Sequence, residues 1–235
     1  MKIFRHEDRQ KYKETQIRRS NIKFNYCKVS VKDAVKYKSL LIHDLKIRNE
    51  NKLRLENILC LGTRNGREVD LFRIAFSYPL IVSKLISFFE RRKRGFQSFS
   101  SGLHSLKRSK LTSLGERVTL GVEINPRGGR KDIWTGSFDE MPDDWEDSFN
   151  VIYSNSFDQS QDPYKTSKEW WRVCAPGGYM IFAFNPMQNP TATDPVGEIS
   201  IFDAQDLFPE GELIYYLLGG SGVGYTEMIF RKPIN

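Results

Sequence analysis

The segment Asn57-Ile58-Leu59-Cys60-Leu61-Gly62 is apolar without alternation and closes on a glycine. A strand with apolar side chains on both faces must be covered on both faces. A parallel sheet held between two layers of helices provides that cover. Residues 65–76 follow with Val69, Leu71, Phe72 and Ala75 at helix-like spacing. The alternation then continues. Strands are expected at 118–124, 132–136, 149–155 and 179–185. A helix is expected from Asp162-Pro163, an acid at the cap and a proline in the first turn, to about Cys174, where Pro176-Gly177-Gly178 breaks it. Phe202–Phe208 reads as a short helix. Residues 213–218 and 225–231 flank Gly219-Gly220-Ser221-Gly222-Val223-Gly224, a hairpin signal. The expected fold is α/β: a mostly parallel, doubly wound sheet closed by a C-terminal antiparallel hairpin.

Two segments lie outside that pattern. Residues 1–56 read as a basic N-terminal helical cap, in which Val31, Ala34, Val35, Leu40, Leu41 and Leu45 mark one apolar helix face and Ser30 and Asp33 its capped start. Residues 57–235 then form the main domain. Residues 77–117 are longer than a strand–helix–strand connection needs, and read as an inserted basic segment with two helices. It holds an apolar run, Tyr78–Phe89, then Arg91-Arg92-Lys93-Arg94 and Lys107-Arg108-Ser109-Lys110. The favoured expectation is a helix packed over the active site. Peripheral membrane contact through 78–94, with the arginines at the headgroups, is the alternative.

Charge is divided unevenly along the chain. Residues 1–56 carry 16 Lys and Arg against 7 Asp and Glu, whereas residues 118–235 carry 8 against 18. Either the basic part meets an anionic partner, RNA included, or the two halves face each other or are simply solvated. No uninterrupted apolar stretch reaches the roughly 20 residues of a membrane span. The polar start MKIFRHEDRQKYK lacks the core of a secretory signal. Cys27, Cys60 and Cys174 are scattered, with neither a disulfide framework nor zinc-ligand spacing. A reducing, cytoplasmic setting is therefore the expectation.

The chemistry is concentrated in two places. Ile58-Leu59-Cys60-Leu61-Gly62-Thr63-Arg64-Asn65-Gly66 takes a strand through a sharp turn into a helix, where a ligand can approach the main chain and the unpaired N–H groups of the helix start. Glu68 reads as an acid compensating the helix dipole. In Gly121-Val122-Glu123-Ile124-Asn125-Pro126, Glu123 stands at the tip of the second strand, where a carboxylate can accept both hydroxyls of a ribose.

These blocks, together with GSFDEMPDDWEDSFNVIYSNSFDQSQDP and EWWRVCAPGGYMIF, resemble the class I S-adenosylmethionine (SAM)-dependent methyltransferases, in particular members with a CLGxRxGxE first motif. The resemblance covers roughly 57–185 and extends to the hairpin. It implies the Rossmann-like fold and SAM as cofactor. Gly62, Thr63, Arg64 and Gly66 would line the amino-acid end, Glu123 would take the ribose with Ile124 against the adenine, Ser137 and Phe138 would border the base, and Asn155, Ser156 and Phe157 would form the wall near the sulfonium. The chain departs from the family in three places. Cys60 replaces the first-strand acid, Arg64 the middle glycine, and Ser137 the adenine-binding acid, with Asp139 two residues away. Arg64 could pair with the cofactor's carboxylate or block the pocket.

Candidate bases for methyl transfer are Asp158, in the loop after the fourth strand, and His43. His6 and His104 also lie in the cap and the insertion. The loop Ser154-Asn155-Ser156-Phe157-Asp158 lacks the Pro-Pro-aromatic pattern of amino-methylases acting on flipped bases, which disfavours a DNA base. The expected function is methyl transfer to a small, anionic or nucleotide-like acceptor. The alternative is a catalytically silent module of the same fold that binds a partner or nucleic acid through its basic face, with Phe96 and Phe99 near the basic cluster as stacking candidates.

Overall fold

The structure is a computed structural model, and it describes residues 1–50, 53–90, 118–128, 130–185, 188–220 and 225–234. The second basic cluster, Arg91–Arg94, Phe96, Phe99, His104 and the expected second helix of the insertion lie outside the described residues, as do 221–224 of the hairpin turn.

Seven strands form one sheet: β1 (Ile58–Leu61), β2 (Thr119–Glu123), β3 (Ile133–Thr135), β4 (Phe149–Ser154), β5 (Cys174–Phe184), β6 (Glu212–Gly220) and β7 (Tyr225–Arg231). Their order is β3-β2-β1-β4-β5-β7-β6, parallel from β3 to β5, with β7 antiparallel to both β5 and β6. The strand order reverses between β1 and β4, and such a switch point opens a crevice at the carboxyl ends of the strands.

Alternate residues of each strand feed different cores. Ile58 and Cys60 of β1, Val151 and Tyr153 of β4, and Tyr179 and Ile181 of β5 face a layer of α2 (Val31–Ile47) and α3 (Arg67–Ser77). Leu59 and Leu61, Ile152, and Met180 and Phe182 face α5 (Pro163–Val173) and α6 (Ile201–Leu207) through Trp170, Val173, Ala204 and Leu207. All four residues of β1 are buried, as the unalternating apolar run requires.

The cap holds two helices with different roles. α2 starts at a complete capping box, Ser30 Oγ taking the Asp33 N–H and the Asp33 carboxylate taking the Ser30 N–H. It buries Val31, Ala34 and Leu41 completely and is one of the core layers. α1 (Arg9–Ile22) is polar on every side and buries Tyr12, Gln16 and Ser20, one residue per turn, against the strand ends. Arg19 pairs with Asp194 and Lys36 with Glu227, and Arg9 reaches Glu140 at 2.6 Å. The basic cap thus faces the acidic half of the same chain.

Two expectations change. The Pro176-Gly177-Gly178 block does not separate helix from strand. The helix ends at Val173 and β5 begins at Cys174, with the register slipping between the pairs Phe149–Cys174 and Val151–Tyr179. Gly177 takes φ +72°, the left-handed conformation a bulge of this kind needs. The apolar run of the insertion forms α4 (Leu80–Glu90), which packs on α2 and α3, not over the strand tips. Ser83 Oγ donates to the Ala75 carbonyl at 2.7 Å, near the end of α3 remote from Gly62. Ile81 and Leu85 on its outer side are exposed. Among the described residues no helix is long and apolar enough to cross a membrane.

Candidate functional site

The parallel register Leu61–Val122 puts the loop after β1 beside the tip of β2. The Gly62 and Thr63 N–H groups donate to the Val122 carbonyl at 2.9 and 3.2 Å, folding the loop back over β2. Gly62, Arg64 and Gly66 all have positive φ, +73°, +49° and +76°. For Arg64 the left-handed conformation is strained, costing on the order of 1–2 kcal/mol. It aims the Arg64 N–H at Glu123 Oε2, 2.7 Å away. A side chain at Gly62 would meet Ser156 Oγ at 2.6 Å, so the loops after β1 and β4 touch there.

Glu123 is 3% exposed and accepts two further hydrogen bonds on Oε1, from the Asn125 N–H at 3.1 Å and the Ser20 hydroxyl at 2.8 Å. Two of its three donors are fixed main chain. The third is a side-chain hydroxyl of α1, chemically like the sugar hydroxyl expected there. A narrow cleft opens beside it, bounded by Gly62, Arg64, Glu123, Ile124, Ser137 and Phe138 from the sheet side. Tyr12, Gln16, Arg19 and Ser20 of α1 and Gln159 close it.

Six of the sequence-derived residues therefore share one cleft. Others are placed differently. Thr63 is buried within the loop, and Gly66 caps α3 and faces Ile133 and Arg130. Asn155 accepts from Ser156 Oγ at 3.2 Å. Phe157 is fully buried between Trp170 and Phe182, with ring centroids 5.2 and 5.8 Å away, and so belongs to the core. Asp139 accepts from Thr166 and Ser137 beneath Phe138 and does not line the cleft. His43 is exposed on α2 and is not brought to the cleft; His6 lies 2.8 Å from the Ala192 carbonyl.

Asp158 lies beside the cleft with Oδ1 buried and unpartnered. Burial, and then the neighbouring Asp194, push its carboxyl up to about 7, against the pull of Arg19 and Arg64. Asp194 pairs with Arg19, and the Thr193 carbonyl accepts from Gln16 Nε2 at 2.9 Å. The segment 188–197 is held in turn by the N-terminus, through the Ile3–Val196 bridge and the Phe4 N–H on the Pro195 carbonyl at 2.7 Å. The contributions of α1 and of Asp194 were missed in the sequence. Their signal was the one-per-turn series Tyr12, Gln16, Ser20 on an otherwise polar helix.

Glu68 stands in the first turn of α3, as expected, but is buried there. Asp70 is the first-turn acid with ion partners, held by Arg130 at 2.7 Å. Glu68 points inward, 2% exposed, and the Cys27 thiol is the one hydrogen-bonding side chain at its carboxylate. Burial pushes it up to about 7.

No family model matches the chain, and no curated protein matches it by sequence. Solved structures do match its fold. The chain is similar to the 1,6-didemethyltoxoflavin-N1-methyltransferase of Burkholderia thailandensis, solved with 1,6-didemethyltoxoflavin and S-adenosylhomocysteine. The TM-score is 0.60 at 12% identity, covering 98% of this chain and 92% of that one. It is also similar to a structure assigned as a sarcosine dimethylglycine methyltransferase of Galdieria sulphuraria, with a TM-score of 0.52, 13% identity and 84% of each chain covered. The fold is that of the class I methyltransferases.

Proposed function

We propose that the chain is a SAM-dependent methyltransferase acting on a small molecule. The observation that carries the reading is the cleft in which Gly62 of the first loop, Glu123 at the next strand tip, and Ser137 and Phe138 after β3 converge. The residues fit the cofactor chemically. Glu123 already holds one hydroxyl donor, that of Ser20, and a ribose hydroxyl could replace it. Thr63 Oγ1 is a buried polar atom without a partner in the loop expected to hold the amino-acid end. Glu123 would hold the ribose, Ile124, Ser137 and Phe138 the base, and the 62–64 loop the amino acid.

When bound, SAM supplies a methyl group on a sulfonium, a strong electrophile needing alignment and exclusion of water more than activation. The chain's own part in the chemistry falls to Asp158. Its Oδ1 is free to accept a proton from the acceptor, and a carboxyl titrating near 7 suits an N–H or a protonated amine. The acidic pair Asp158 and Asp194 at this wall favours an uncharged or cationic nitrogen over an anionic acceptor. The positive charge expected to draw an anion is partly directed at the acidic half of the same chain.

The test is calorimetry with S-adenosylhomocysteine on the wild type and on Glu123→Ala, followed by radiolabelled methyl transfer into a metabolite extract. Micromolar binding lost in the variant, with labelling that depends on Glu123, is the expected result. Absence of heat in the wild type would leave the silent-module reading standing. Binding without any labelled product would leave the fold and the cofactor site but remove the enzyme.

A further inference from the structure

Polar contacts tie α1 to the loops at the strand tips, and several converge on Asp194. Arg19 pairs with Asp194 Oδ1, and its Nη1 also donates to the Thr193 carbonyl at 2.6 Å. Gln16 Nε2 donates to the same carbonyl at 2.9 Å. Asp194 is fixed from its own segment too. Its N–H donates to Thr191 Oγ1 at 3.0 Å, and its Oδ2 accepts from the Thr193 hydroxyl at 3.2 Å. Two residues on, the Val196 N–H donates to the Asp158 carbonyl at 2.9 Å, which lays this segment along the loop after β4. There the carboxyl groups of Asp194 and Asp158 are in hydrogen-bonding contact.

Two carboxyl groups hydrogen-bond each other only through a proton, so the pair holds one between them. That contact takes one oxygen of Asp158, while Oδ1 is buried and has no partner. An acceptor buried in that state costs about 1–3 kcal/mol. An amide at either position would make the same contact without a second negative charge, so stability alone does not account for the pair. The other titratable and charged groups facing Asp158 are Tyr12 and Arg19 of α1, Tyr26 and Lys28 of the α1–α2 connection, and Arg64 of the first loop. Burial pushes both tyrosines up, so they stay neutral. Arg19 acts on Asp158 by its charge and is also the ion partner of Asp194.

We infer that Asp194 is a positioning residue for Asp158 and that Arg19 of α1 locks it in place. With α1 docked, Asp194 holds one oxygen of Asp158 and leaves Oδ1 open to take a proton. With the lock broken, Asp194 is released and the pair comes apart. This inference rests on the reading of Asp158 as the proton acceptor of methyl transfer.

Carbon-13 labelling of the aspartate carboxyls lets NMR follow each titration in the ligand-free protein. The resonance missing in Asp158→Asn belongs to Asp158. Asp194→Asn should lower that titration by about 1–2 pH units, because a like charge is removed. In the Asp194→Asn background, Arg19→Gln should raise it, since only the loss of a cation remains. With Asp194 present, Arg19→Gln should lower it, because the released Asp194 had acted on Asp158 more strongly than Arg19 did. Arg19→Lys keeps an ion partner for Asp194 and should restore part of the wild-type value. Other aspartate resonances that stay in place show that each variant is folded. Equal upward shifts from Arg19→Gln in both backgrounds would make Arg19 a point charge and remove the lock. An unmoved titration in Asp194→Asn would remove the pair itself. The acidic limb of the methyl-transfer pH profile should move with the carboxyl in every variant. A carboxyl that moves as expected while the limb stays still upholds the lock and overturns Asp158 as the base, which keeps the two failures apart.

Discussion

Glu68 gives the most decisive stability measurement in the molecule. Its carboxyl sits among Cys27 of the α1–α2 connection, Cys60 of β1, Arg64 of the loop, Glu123 of β2 and Tyr153 of β4, and desolvation dominates its titration. The folded protein holds its proton up to about pH 7, whereas in the unfolded chain it is lost near 4.5. Between those values the folded state binds more protons than the unfolded one. Stability contributed at low pH is therefore lost as pH rises through about 7. At about 1.36 kcal/mol per unit, the full window is worth about 3 kcal/mol, of which about 2.5 kcal/mol falls between pH 5 and 8. Glu68→Gln keeps the shape and cannot ionise, so it should not show this loss. Urea unfolding of both proteins, without ligand, from pH 5 to 8.5 should give curves close together at pH 5. The variant should be more stable by about 2.5 kcal/mol at pH 8. A difference that stays flat across pH would mean that Glu68 is solvated or paired, and the reasoning from its burial would fall.

Three other perturbations follow from the same geometry. Ser20→Ala removes the α1 hydroxyl that occupies Glu123; S-adenosylhomocysteine should bind several-fold more tightly in calorimetry while the apoprotein loses about 1 kcal/mol of stability. Tighter packing of α1 with no change in affinity would show that Ser20 and the ribose do not compete. Gly62→Ala meets both a left-handed φ and Ser156 Oγ at 2.6 Å, and should cost about 2–4 kcal/mol in urea unfolding and abolish binding; a near-neutral result would put the loop elsewhere. Asp158→Asn should lower methyl transfer by about 10²–10⁴ and erase the acidic limb near pH 7 in the rate profile, a limb that belongs to Asp158 and Asp194 together; an unchanged profile would remove Asp158 as the base.

The sheet was legible because its information is local. An unalternating apolar run such as Ile58–Leu61 admits one environment, and a glycine turn followed by a helix admits few ligands. The positions Gly62 and Glu123 are fixed by strand register alone. What resisted reading depends on contacts far apart in sequence. Ser20 and Glu123 are 103 residues apart, and Arg19 and Asp194 are 175 apart. The one-per-turn series Tyr12, Gln16 and Ser20 marks a face of α1 but does not say which strand tip that face will meet. Phe157 was read as a ligand wall because it follows β4, but a large aromatic one turn beyond a strand gains more from burial against Trp170 than from facing solvent or ligand. Glu68 stands in the first turn of α3, as the sequence indicates, but its burial follows from the helix's phase and not from that position. An acid in a helix's first turn satisfies a local rule so well that its inward direction goes unasked. Glu68 sits one residue after Arg67 and two before Asp70, and the helix phase turns it toward Phe72 and Ala75, onto the buried face. Phase alone would have exposed the conflict between a charged residue and an apolar stripe. Such conflicts between a local preference and the global packing are where a stable chain gives up stability, and binding is the ordinary reason for it.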